Sequence, residues 1–317
     1  MVLSVYVDAW WHEAIGRESF WIPPHIGIYT GLVISLVGLF SLLRDTWGRV
    51  HRGLWMAAFG LASIITAGYA DELWHERFGV EKVGTLAALW SSTHIAALVG
   101  GIVTSLGILY YLSSMMRTVS GRDDRVGWFL AAEFGVLVSV TTLLLLPLGP
   151  ETPFRVLGVL GASVVAFVIL SLRFAGSVLS EKPWALTLIT SFNWTGNAIL
   201  LTNHASPVLT LLLLAVGVSP PFIGDLLLQR GRRKGALKTA YLEVGLIWGA
   251  VFGALFYPLT NGLLAPALDP ISVFLAGGSS ALASVVAGRL AGLLSERRLA
   301  ERALLMGLIK LGTEVRL

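Results

Sequence analysis

The 317-residue chain contains no cysteine. Disulfides, thiolate metal sites and iron–sulfur clusters are therefore excluded, and any metal must use His, Asp, Glu, Asn or backbone ligands. Charge is also scarce: Asp, Glu, Lys and Arg make up 13% of the residues, about half the share of a soluble domain. Hydrophobic residues reach 55% and the mean hydropathy is +0.77. This balance excludes a soluble enzyme, a disordered chain and a nucleic-acid binder. What remains is an all-α polytopic membrane protein, whose few polar residues carry the functional information.

A helix that crosses a bilayer needs about 20 mostly apolar residues. Nine stretches qualify, over 25–44, 54–73, 92–116, 127–148, 155–174, 184–204, 207–229, 240–264 and 270–292. Pro220-Pro221 falls inside the seventh and predicts a kink. Of the 23 basic residues, 19 fall in alternate loops and in the C-terminal run; only Arg17, Arg77, Lys82 and Arg155 fall in the others. By the positive-inside rule the basic set is cytoplasmic. The net charge of +4 is thus a signal of topology and not of a polyanionic ligand. Residues 1–24 and 74–91 are expected on the extracytoplasmic side, and 295–317 as a cytoplasmic amphipathic tail on the membrane surface. The chain divides into a repeat-containing region 1–116, a helix bundle 117–294 and the tail 295–317.

Two segments repeat. Asp8-Ala-Trp-Trp-His12 is followed by Pro-Pro-His25 at the start of a span, and Asp71-Glu-Leu-Trp-His75 by Ser-Ser-Thr-His94 at the start of another. An apolar helix, 54–70, leads into the second copy, whereas seven residues precede the first. This predicts a further N-terminal helix, removed, missed by the assigned start or replaced by a partner subunit; ten spans would result. Asp and His four residues apart share one side of a helix. The third group, His25 or His94, sits where the next helix begins, with Pro24 in a first turn and Ser92 or Thr93 as cap. Each copy therefore offers Asp, His and His to one ion, a donor set suited to copper, zinc or iron. Two triads packed face to face would make one dinuclear site; two separate mononuclear sites are equally consistent with the spacing. His204 falls at the same membrane face, while His51 lies in a basic cytoplasmic loop and is read as solvated.

The stretch Asp8–His25 resembles the metal motif of the C subunit of the particulate methane and ammonia monooxygenases. That family carries D-x3-H-x12-H, within W-H-x2-I-x-R-D-T and a following P-S-H. Trp11, His12, Ile15, Arg17, Pro23 and His25 match it. The family's second triad, N-x3-H-x13-H, is similar to Asp71, His75 and His94, with Asp in first place and eighteen residues before the last His. The likeness is close over about eighteen residues, loose to His94, and does not extend to the rest of the chain. It implies a copper site on Asp8, His12 and His25 and a second metal on Asp71, His75 and His94. It further implies a monooxygenase-like oxidoreductase acting on a small apolar substrate, with other membrane subunits, one of them cupredoxin-bearing, or a homo-oligomer as partners.

Glu13, Arg17 and Glu18, or Glu72 and Glu76, are placed to orient the imidazoles. Trp11, Trp21, Trp74 and Trp90 flank the ligands as walls or interface anchors. Asn193, Thr195, Asn197, Asn203 and His204 cluster near the outer end of the sixth span, as helix-to-helix hydrogen bonds or further ligands. Glu133, Asp225, Glu243 and Arg289 are intramembrane charges, expected to pair with one another. Residues 276–284 form a small-residue packing face. Three other functions remain: a transporter; a zinc hydrolase using Glu13 or Glu76 as base; and bis-His haem binding, disfavoured because the histidines sit at helix ends beside Asp.

Overall fold

The computed structural model describes residues 1–15, 21–46, 51–78, 91–118, 124–145, 183–202 and 206–251, with single positions between 282 and 289. Its regular elements are all helices: α1 Val2–Ala14, α2 Pro23–Asp45, α3 Arg52–Phe78, α4 Ser92–Thr118, α5 Asp124–Leu145, α6 Ala185–Leu201, α7 Pro207–Arg233 and α8 Leu237–Val251. No strand occurs among the described residues. Four helical stretches are long and apolar enough to cross a membrane: Pro23–Asp45, Arg52–Arg77, Ser92–Met115 and Pro207–Arg233. The expected spans at 127–148, 184–204 and 240–264 begin as α5, α6 and α8. Those at 155–174 and 270–292, and the tail 295–317, lie outside the described residues apart from the few near 282–289. The helix of α7 continues through Pro220 and Pro221.

Consecutive helices pack side by side from α3 to α8, and α1 lies against α2, α5 and α6. The α3–α4 pair is antiparallel and its backbones approach closely. A Cβ on Gly107 would stand 2.5 Å from both Gly53 O and Ala57 N, and one on Gly60 2.5 Å from Gly100 O. Gly53 and Gly60, and Gly100 and Gly107, are each seven residues apart, so both pairs lie on one helix face. In lipid, where apolar burial does not drive helices together, such contact is a main source of association.

Tyr6 anchors α1. It is fully buried with Ala9, Leu98 and Val140. Its hydroxyl donates to Asn193 Oδ1 at 3.0 Å and approaches Ser139 O at 3.3 Å. Asn193 thus serves as a link between helices, while Thr195 donates to Ser191 O within its own helix.

The expected pairing among the four intramembrane charges is not what the structure holds. Asp225 of α7 turns to the start of α6, accepting from Leu186 N at 3.0 Å, Thr187 N at 2.8 Å and Thr187 Oγ1 at 2.7 Å. It is a cap supplied from a neighbouring helix, satisfying amides that have no partner within α6. Glu133 is hydrogen-bonded with Ser105 of α4, and Glu243 and Arg289 are exposed. Asp225→Ala is expected to cost about 3 kcal/mol, since buried donors are left without an acceptor. Unfolding of purified protein in detergent measures it, and Asp225→Asn, which keeps one acceptor oxygen, should lose less.

Candidate metal centre

The sequence repeat is also a structural one. Asp8 and His12 lie toward the end of α1, and Asp71 and His75 toward the end of α3. His25 and His94 each occupy the third position of the following helix, α2 or α4. Prolines 23 and 24 open α2, where the first amides need no intrahelical partner. The cap of α4 is Ser91, and not Ser92 or Thr93: Ser91 Oγ accepts from His94 N at 3.1 Å. This is ordinary N-cap geometry, in which the cap oxygen reaches the third helical amide.

In the first triad His12 Nε2 lies 3.4 Å from Asp8 Oδ2, and His25 Nε2 lies 3.2 Å from Asp8 Oδ1. The two imidazoles straddle the carboxylate, their ring centroids 6.4 Å apart. One donor atom from each of the three residues falls within 4.8 Å of the others, the only such group of three or more among the described residues. A tetrahedral ion with bonds of about 2.1 Å sets its ligand atoms about 3.4 Å apart, so this set needs little adjustment to close on an ion. Asp8 is buried, and among the described residues its Oδ1 has no hydrogen-bonding neighbour beyond the His25 imidazole at 3.2 Å. Two imidazoles, once neutral, and one carboxylate fit a divalent cation.

Burial pushes the Asp8 carboxyl up, but the imidazoles of His12 and His25 outweigh it and hold the group down to about 2 from 3.8. A carboxyl depressed on folding contributes stability that is complete above the unfolded value and is lost as pH falls through the folded one. Without metal, the stability difference between the native protein and Asp8→Asn should therefore shrink as pH falls from about 4 toward about 2. Unfolding in detergent across that range checks it.

The second triad is looser. His94 Nε2 and His75 Nδ1 approach the same oxygen, Asp71 Oδ2, at 3.4 and 3.8 Å. The other oxygen, Oδ1, accepts a hydrogen bond from Thr93 Oγ1. The Thr93 hydroxyl in turn pairs with Ser91 Oγ at 2.8 Å. The spacing D-x3-H gives no sign of this hydroxyl; the only hint is that Thr93 immediately precedes His94.

Tyr29, one turn beyond His25, has its ring centroid 6.0 Å from that imidazole and 6.3 Å from Trp21. Sequence spacing did not single it out. Of the residues expected to orient the imidazoles, Glu72 is half-buried and Glu76 exposed. Glu13 lies in α1, its side chain outside the described set. Arg17, Glu18, Asn203, His204 and Trp90 lie outside the described residues, as does the side chain of Asn197. Trp21 and Trp74 are exposed, as interface anchors would be. His51, expected to be solvated, is instead packed: its Nε2 is 2.7 Å from Ser114 Oγ and its ring stands edge-on to Tyr111 at 4.9 Å. Compared with known proteins, the chain matches no protein-family model, no curated protein and no solved structure.

Proposed function

We propose that this chain is an integral membrane metalloprotein that holds an ion at one membrane face on Asp8, His12 and His25, with a second set in Asp71, His75 and His94. We further propose that it is a subunit of a copper-dependent, monooxygenase-like oxidoreductase. The observation that carries the metal reading is the convergence of three donor atoms within 4.8 Å around a buried carboxylate. The choice of copper and of oxidation rests on the resemblance of Asp8–His25 to the monooxygenase C subunit. In this reading nine helices cross the membrane, the triads face the extracytoplasmic side and the C-terminus is cytoplasmic; the placement of Lys and Arg supports that orientation.

The chain's own contribution is positional. Asp8 supplies the negative charge, and His12 and His25 supply neutral nitrogens held by two helix ends. Tyr6 holds α1 against α5 and α6, so that the ends meet in one place. A bound copper ion would supply one-electron chemistry toward dioxygen beside a small apolar substrate. A cupredoxin-bearing partner would fit as electron donor.

Metal analysis of the purified protein tests the reading. Copper bound in proportion to chain supports it, and a cupredoxin-bearing partner in the same preparation would strengthen the oxidoreductase part. Zinc alone would point to hydrolysis. An absence of any bound or bindable ion would overturn the metal reading and leave transport as the better account.

A further inference from the structure

The two repeats place different residues immediately before their second histidine: Pro24 before His25 and Thr93 before His94. Both are buried, and both occupy the second position of a helix whose third position carries the imidazole. Their chemistry is opposite. Proline has no donor at all, and Asp8 Oδ1 accepts no hydroxyl and meets the His25 imidazole instead. Threonine carries a hydroxyl, which is donated to Asp71 Oδ1.

The imidazoles differ in step with this. Around Asp8 they divide between the two oxygens, one on Oδ2 at 3.4 Å and one on Oδ1 at 3.2 Å. Around Asp71 both crowd onto Oδ2. One carboxylate presents both oxygens, and the other has one already engaged.

We propose that the residue preceding the second histidine sets the ion affinity of each repeat: Pro24 leaves the first triad open as the tight site, and the Thr93 hydroxyl makes the second the weaker one. The proposal rests on the metal reading above and ranks its two sites. The physical reason is the state each carboxylate is in before an ion arrives. The buried Asp8 carboxylate meets the two imidazoles, which are ligands themselves, and accepts no hydroxyl, so both of its oxygens stay available to a cation. Asp71 has regained a charge-assisted hydrogen bond, among the stronger kinds. That bond draws charge from the carboxylate, and it holds the group in a pose where two imidazoles share one oxygen. An ion entering there must displace or share the bond, and therefore gains less. The Ser91 hydroxyl holds Thr93 in place, so the hydroxyl does not simply swing away.

The test is a Cu(II) titration of chelator-stripped, full-length protein against a competing chelator, with stoichiometry from elemental analysis and environment from electron paramagnetic resonance. The native protein should bind one ion tightly and a second at least about tenfold more weakly, the range over which neighbouring hydrogen bonds tune metal sites. Asp71→Ala should remove only the weaker phase. Thr93→Val, which keeps shape and removes the hydroxyl, should narrow the gap by about tenfold and leave the tight site unchanged. Thr93→Ser, which keeps the hydroxyl, should preserve the gap and separates the effect from misfolding. Two ions of equal affinity in the native protein would overturn the proposal while the metal reading stands. So would a second site weakened by Thr93→Val, which would make the hydroxyl a support for Asp71. No ion at either triad would sink both.

Discussion

His12→Ala and His25→Ala should each remove tight ion binding at the first triad, with a fall in affinity of more than about 100-fold. Loss of a hydrogen bond that merely orients a ligand costs about 10–100-fold, and each of these variants deletes one of three ligands outright. The remaining pair, one carboxylate and one imidazole, cannot enclose an ion from three directions. The fold should survive, because α1 is held through Tyr6, Ala9 and their neighbours in α4, α5 and α6, and neither imidazole belongs to that cluster. The metal:protein ratio after gel filtration in detergent measures the loss, and a circular dichroism spectrum confirms that helix content is unchanged. His51→Ala is the control: it lies at the start of α3, against Ser114 and Tyr111, and should leave metal content as in the native protein. Imidazoles bind metals only when neutral, so occupancy in the native protein should also fall as pH drops below about 6.5. A His12→Ala protein that retains its ion would remove the chemical basis of the proposed function.

Gly60→Leu and Gly107→Leu should each cost about 3 kcal/mol or more. Overpacking usually costs about 1–3 kcal/mol because side chains give way. Here the Cβ itself would meet backbone: Gly100 O at 2.5 Å for Gly60, and Gly53 O and Ala57 N at 2.5 Å for Gly107. Two helix backbones would have to part, with loss of contact along the whole seam. Gly38→Leu and Gly68→Leu are the matched controls. Both are helical glycines with nothing within 4 Å of an added Cβ, and both should be close to neutral. Detergent stability of the four variants separates close backbone packing from a generic dislike of leucine for glycine. The consequence reaches the site, since Asp71 and His75 are on α3 and His94 on α4. Parting the pair should therefore also abolish the second triad, and leave the first, built on α1 and α2, less affected.

Much of this could be read from the chain before any fold was known. Long apolar runs and scarce charge determine a helical membrane protein, because a bilayer leaves little else for an unbroken apolar segment to form. The interval of four residues in Asp8–His12 and Asp71–His75 determines that each pair shares a helix face, since the helical period dictates it. The extended turn forced by Pro23-Pro24 and the serine before α4 likewise mark where the next helices begin.

The tertiary structure decided what those groups meet. Asp225 reads as an intramembrane charge in search of a counter-ion, yet two helices come together so that it caps α6 instead. His51 reads as a loop residue, yet α4 brings Ser114 and Tyr111 up to it. The two triads read as copies, yet Thr93 turns back across the helix pair to one oxygen of Asp71, while Pro24 has nothing to donate to Asp8. The physical reason is common to all three. Periodicity along one helix is a local property of the backbone, whereas the partner of a buried oxygen or nitrogen comes from another helix, at an approach set by glycine seams and anchors such as Tyr6 that spacing alone does not reveal.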